Sequence, residues 1–237
     1  MKIIISLLTL AFACCLPCSA QQQSQSSYFV PAPKSASTPD AEGFIRRWTV
    51  LEPISLQLRT NATFNDSWLR ERFGHEYFKG QTTIVPRDGQ HVTAESEKMA
   101  EDKKTIEFIK EKLTWHSVES QNYNLKLFRF AEYYNRPHYG VLFWTVTTIN
   151  CAEDMDNVRL SIGSNSASLW WIDGKEVLLM SGDRRMVADD CATSRLQLKK
   201  GKHIIRGVII NGPGMSDFCV RLTDENGKPI TNGYTIE

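Results

Sequence analysis

Beyond residue 20 the sequence has no long apolar run, no excess of either charge and only three cysteines, and each shortage removes a class of protein. Without a second run of roughly 18 to 20 apolar residues there is no bilayer-spanning segment to place after the N-terminus. With Lys2 set aside, the basic and acidic residues are equal in number. Counterion release by clustered Lys and Arg has nothing to work on, so a nucleic-acid partner is not expected. The odd cysteine count, Cys151, Cys191 and Cys219, allows at most one internal disulfide; the candidate pair is Cys151 with Cys191, both where a strand run meets an acidic loop. Three buried or partly buried thiols are the other reading.

Catalytic signatures are also missing. There is no Gly-x-Ser-x-Gly elbow and no Gly-Asp-Ser block, since Gly182-Asp183-Arg184 has Arg in the serine position. The five histidines are scattered, and His75-Glu76 lacks the second histidine of a helix-borne zinc pair. No metal site and no cofactor is expected, although the acidic loops at Glu153-Asp154-Asp156 and Asp189-Asp190 leave a structural calcium open.

What is present begins with a secretion signal. Lys2, the apolar run Ile3 to Ala13 and the small residues Cys18-Ser19-Ala20 predict a signal peptide over residues 1–20, cleaved after Ala20, and a secreted or periplasmic protein. A lipid anchor on Cys14, Cys15 or Cys18 is the alternative, with poor small-residue support. Residues 21–43, rich in Gln, Ser, Ala and Pro, read as a flexible or extended tether. Residues 44–237 are enough for one domain with a sizeable core.

Within that domain, runs of β-prone residues predict an all-β, antiparallel, two-sheet jelly-roll sandwich. Ser168 to Ile172 and Glu176 to Ser181 are closed by Asp173-Gly174, a pair suited to a type I′ hairpin turn. Val158, Leu160 and Ile162 alternate with Arg159, Ser161 and Gly163, whereas Tyr139 to Val146 is apolar throughout and belongs at the centre of a sheet. Tyr123 to Phe130 reads as another strand. Thr93 to Leu113, dense in Glu and Lys with Met99, Ile106, Ile109 and Leu113 at helical intervals, reads as one amphipathic helix inserted into the sandwich. Asn65 to Phe73 reads as a short helix capped by Asn65 or Asp66.

The polar cluster Ser181 to Asp190 carries the candidate binding residues Asp183, Arg184, Arg185 and Asp189, because guanidinium groups fork onto carboxylate or hydroxyl oxygens. Their pairing with one another, stiffening the loop, is the competing reading. A second Gly-rich connection starts at Asn211, and the two loops would form a polar cup if the fold joins them. Sugar recognition uses an aromatic platform with a few directed hydrogen bonds. Trp170, adjacent to Trp171 on a strand and so facing the opposite way, is the candidate platform.

Trp48-Thr49-Val50-Leu51-Glu52-Pro53, Ser164 to Glu176 with its Trp-Ile-Asp-Gly-Lys hairpin, the Leu198 to Lys202 turn and Phe218 to Leu222 resemble the non-catalytic jelly-roll domains attached to bacterial acetylxylan esterases and other secreted glycan-degrading enzymes. The resemblance spans about residues 44–235. It implies a galactose-binding-domain-like fold and a secreted, non-catalytic accessory domain that binds polysaccharide or a partner glycan-degrading enzyme. Two alternatives stand beside it: an envelope module that docks proteins and no glycan, and an acetyl esterase or other hydrolase with an unrecognised site near Ser216 and Asp217.

Overall fold

The computed structural model describes residues 27–237. The signal peptide, its cleavage point, and Cys14, Cys15 and Cys18 lie outside the described residues. Nearly all the regular structure is antiparallel β. The larger sheet contains β1 (Phe29–Pro31), β2 (Arg47–Leu51), β3 (Ile54–Ser55), β4 (His91–Met99), β5 (Ile106–Ser120), β6 (Val141–Cys151), β8 (Ala167–Ile172), β9 (Lys175–Met180), β12 (Gly201–Asn211) and β14 (Tyr234–Ile236). The smaller contains β7 (Met155–Ser164), β10 (Cys191–Ala192), β11 (Leu196–Leu198) and β13 (Phe218–Thr223). Two short helices complete it, α1 (Asp66–Gly74) and α2 (Leu127–Tyr133).

The larger sheet runs β1-β5-β2-β6-β12-β8-β9, with β4 extending from β5 and with β3 and β14 pairing the two ends of β6. β6 is central, as its two-sided apolar run requires, and it is buried on both faces. On one face, Trp48, Val50, Phe143, Trp170, Ile205 and Ile209 pack against Val158, Leu160, Ile162, Val220 and Leu222 of the smaller sheet. On the other, Leu142, Trp144, Val146, Trp171, Val208 and Ile210 are covered by Leu69 and Phe73 of α1 and by Tyr77 and Phe78 of the irregular segment that follows. The molecule therefore has three layers: small sheet, large sheet, and a cap of helix and loop. The Asp173-Gly174 turn has φ of +50° and +78°, the positive values that a type I′ hairpin needs.

Four expectations are corrected. Thr93 to Leu113 is not a helix but most of the β4–β5 hairpin, with register His91↔Thr114 through Met99↔Ile106. Its tip is organised by Asp102, whose carboxylate accepts from the Lys104 and Thr105 amides, with Lys103 at φ +56°. The dense Glu and Lys belong to an arm whose far end is exposed, where charge protects a sheet edge. Leu127 to Tyr133, expected as strand, is α2, with Leu127, Phe130 and Ala131 buried at i, i+3 and i+4 spacing. The expected tether is folded from Phe29 onward: β1 pairs with the end of β5, Ser37 bridges to Ile236, and Asp40 accepts from the Phe44 amide at 2.8 Å. Finally, Cys151 lies in β6 of the larger sheet and Cys191 in β10 of the smaller, and all three thiols are free. Burial pushes the Cys219 thiol up to about 12, which keeps it protonated and unreactive.

Candidate binding site

An open concave feature with an aromatic lining forms where α1 meets the β4–β5 arm. Asn65 caps α1, its side-chain oxygen accepting from the Trp68 amide at 3.1 Å. Leu69 and Phe73 anchor the helix in the core, which leaves Trp68 and Arg72, one turn apart, on the side facing the arm. Phe64 stacks on Trp68 at 5.3 Å, and the Arg72 guanidinium lies 5.3 Å from the Trp68 ring centroid. Across the ladder, Glu97 faces Phe108 and Met99 faces Ile106. The Arg72 Nη1 atom donates to Glu97 Oε1 at 2.6 Å, and Glu97 Oε2 accepts from the Gln57 amide. Glu97 is only 4% exposed, so this ion pair is the joint between helix and arm.

Together these elements enclose a groove of about 600 Å³. Trp68, Tyr77, His75, Ile106 and Phe108 supply its apolar walls, with the Arg72–Glu97 pair between them. Phe108 is 61% exposed and Ile106 43%, an apolar pair that nothing among the described residues covers. His75 Nε2 is 3.0 Å from Glu95 Oε1, and its ring meets Tyr77 edge-on at 4.6 Å. The Tyr77 hydroxyl is pushed up to about 12 by burial, against the nearby Arg72 charge that draws it down, and is thus a neutral donor. The groove can offer flat aromatic contact with one ionic pair and a charged rim. It has no nucleophile with an attendant base.

The residues expected to bind lie elsewhere. Trp170 is fully buried in the core between the sheets, its Nε1 donating to Ser168 Oγ at 2.9 Å, so it cannot serve as a platform. Trp171, on the other face, is buried as well, because the larger sheet is covered on both sides. The two loops do come together: Asn61 Nδ2 donates to Asp183 at 2.7 Å and to the Pro213 carbonyl, while its Oδ1 accepts from the Gly212 amide. Apart from Arg185, the polar groups expected to bind are already engaged. Arg184 pairs with Asp190 at 2.6 Å, Asp189 takes both Arg221 and the Ser161 hydroxyl, and Asn211 is buried, donating to the His138 and Gly214 carbonyls. Burial pushes the Asp189 carboxyl up, but Arg221 and Ser161 outweigh it and hold it below the ordinary range. Arg185 is exposed and unpaired. The loop is stiffened from within, and a Cβ on Gly163 would sit 2.0 Å from the Val187 carbonyl, so the loop lies directly on β7.

The hydrolase alternative placed its site near Ser216 and Asp217, and these two are not arranged as nucleophile and base. The Ser216 hydroxyl is buried without a partner, and Asp217 is held by Asn124 at 2.7 Å and Lys126 at 2.9 Å rather than by a histidine. Among the described residues no group of three or more His, Cys, Asp or Glu side chains is placed to hold a metal ion, and no helix is long and apolar enough to cross a membrane.

No protein-family model and no curated protein matches the chain. Among solved structures it is similar to the PA14 domain of the MpAFP antifreeze protein, at 8% identity and a TM-score of 0.38, over 86% of this chain and 92% of that one. It is also similar to a PA14 sugar-binding domain from an RTX adhesin, at 8% identity and 0.37, over 80% and 96%. Similarity at that level carries no argument about ligand. The resemblance to acetylxylan esterase accessory domains accordingly remains one of short motifs.

Sequence reasoning missed the groove residues for a physical reason. Trp68 is separated by some forty residues from Phe108, and reading the arm as a helix hid the register that sets Phe108 opposite Glu97. The Trp68 and Arg72 spacing on a capped helix was the available local signal.

Proposed function

We propose that this protein is a secreted, non-catalytic carbohydrate-binding module whose ligand lies in the groove between α1 and the β4–β5 arm. The observation that carries this reading is the open aromatic wall of Trp68 and Phe108 flanking the Arg72–Glu97 pair. A pyranose has apolar C–H faces and polar edges, so it pairs with aromatic rings and a few directed hydrogen bonds. Secretion is supported by the N-terminal signal pattern, and a place in a glycan-degrading system by the motif resemblance; both are part of the proposal. The test is a glycan array, including acetylated and deacetylated xylans, probed with the chain from Gln21 to Glu237 and with its Phe108→Ala variant. Specific retention that Phe108→Ala loses supports the groove; retention that it keeps moves the site elsewhere.

One observation favours a second reading, docking of an extended peptide. Trp115 exchanges backbone bonds with Gly89 and Gln90 on the β4 side. By alternation, Ile106, Phe108 and Lys110 turn their N–H and C=O groups away from β4, along an edge that no strand among the described residues pairs. Silence across the array with stoichiometric capture of a protein partner would favour that reading.

A further inference from the structure

Arg206 lies in the middle of β12, between Val146 of β6 and Trp171 of β8. It is 3% exposed, yet among the described residues it has no ion-pair partner. The carboxylate nearest in register is Glu176, opposite Trp171, and Arg70 holds it at 2.8 Å. The guanidinium has one partner: Nη2 donates to the Ile84 carbonyl at 2.6 Å, and Nη1 has none. A buried cation with no counter-charge is costly even after relaxation. Burial alone draws the Arg206 pKa down to about 10, so the group stays charged at neutral pH.

A second donor without an acceptor lies close by. Trp144 pairs with Val208, two residues along β12 from Arg206, which makes Trp144 and Arg206 diagonal neighbours on one face. The Trp144 Nε1–H is buried and unpartnered, and the ring stacks at 5.7 Å on Trp171, the residue directly opposite Arg206. Arg206 Nη1 and Trp144 Nε1 are two buried donors without an acceptor, one of them on a guanidinium, and that is chemistry an oxyanion completes.

The cover over Arg206 is anchored by the packing of Ile84 on the core and by buried Pro86, with few hydrogen bonds. The Thr83 and Ile84 amides bond to Gly80 within the same segment. Across Thr82 to Pro86 the hydrogen bond to the rest of the molecule is the one from Arg206 to Ile84, and Val85 is half exposed.

We propose that Arg206 and Trp144 form a binding site for a small oxyanion, a carboxylate, sulfate or phosphate group, which displaces the Ile84 carbonyl from Arg206 and lifts the segment around it. The site is separate from the groove, and its success or failure leaves the groove reading untouched.

The test compares the wild type with Arg206→Met in thermal unfolding against sodium sulfate, sodium phosphate and sodium glucuronate, with sodium chloride at matched ionic strength. Sulfate stabilises proteins generally by exclusion, and that part is common to both chains. The expected result is an added rise in Tm in the wild type alone, growing with the logarithm of anion concentration. The three anions distinguish inorganic oxyanions from carboxylates. Tryptic cleavage after Arg87 should also quicken with the anion in the wild type. Without anion, Arg206→Met should melt at or above the wild-type temperature, since the substitution removes an unpaired buried charge. Trp144→Phe keeps the charge and serves if Arg206→Met does not fold; its response to the anions should be weaker than wild type. Equal Tm gains in wild type and variants, or a chloride effect as large as that of the oxyanions, would overturn the proposal.

Discussion

Gly207 shows how tightly single positions are set. It sits in β12 opposite Trp170, and a Cβ there would lie 2.4 Å from the indole ring. Trp170 is itself wedged edge-on against Trp48 at 6.0 Å and close to Phe218 at 5.4 Å, so it has nowhere to retreat. Gly207→Ala should cost about 1–3 kcal/mol in denaturant unfolding, and a loss smaller than that would mean the core is looser than its contacts indicate. His203 supplies a pH dependence. Its Nδ1 is 2.6 Å from Asp173 and its Nε2 is 2.6 Å from the Lys199 carbonyl, two acceptors that only the doubly protonated ring satisfies. Burial draws its pKa down, but the bonds to Asp173 and Lys199 outweigh it and leave the value raised. The stabilisation is therefore complete below the unfolded value of about 6.5 and is lost as pH rises through the folded pKa. The Tm gap between wild type and His203→Gln should be widest near pH 5.5 and narrow toward pH 8.5; a gap independent of pH would contradict this. At this scale the sequence misled about Trp170, because a tryptophan beside a turn looks the same whether its face is open or covered.

The β4–β5 arm governs both readings of function. Since Lys110 directs its N–H away from β4 and Glu111 directs its N–H toward it, proline separates the two edges. Lys110→Pro should leave thermal unfolding nearly unchanged, while Glu111→Pro removes a ladder bond and should lower Tm clearly. Equal losses would show that the outer edge is paired after all. The Asp173-Gly174 hairpin and the capped α1 were legible because turn and cap chemistry is local. The arm was not. Met99, Ile106, Ile109 and Leu113 satisfy a helical period by coincidence; the Asp102 turn is local and competes with that period, and what decides for the hairpin is its contact with α1, which a local window does not contain.

For the whole molecule, the apolar–polar alternation along β7 and the two-sided apolar run of β6 were enough to indicate an antiparallel sandwich, although Ser161 and Gly163 on the polar side of β7 are buried beneath the loop that carries Val187. The third layer was not legible, since α1 and the Tyr77–Phe78 segment bury themselves through residues far apart in sequence. That layer creates the groove. The loop around Arg184 and Asp189, though rich in the right chemistry, is spent on pairs with Asp190 and with Arg221 of the smaller sheet. The arrangement separates scaffold from surface. Phe108 supports no part of the core, whereas Trp68 stacks on Phe64, so Phe108→Ala isolates ligand contact from folding.

The most direct measurement is isothermal titration of the wild-type, Phe108→Ala and Arg185→Ala chains with one soluble glycan. Tight binding by wild type and Arg185→Ala, with at least a tenfold loss in Phe108→Ala, about 1.4 kcal/mol, and no change in Tm, is the expected result. Binding that survives Phe108→Ala and fails in Arg185→Ala would place the ligand on the loops and contradict a groove site.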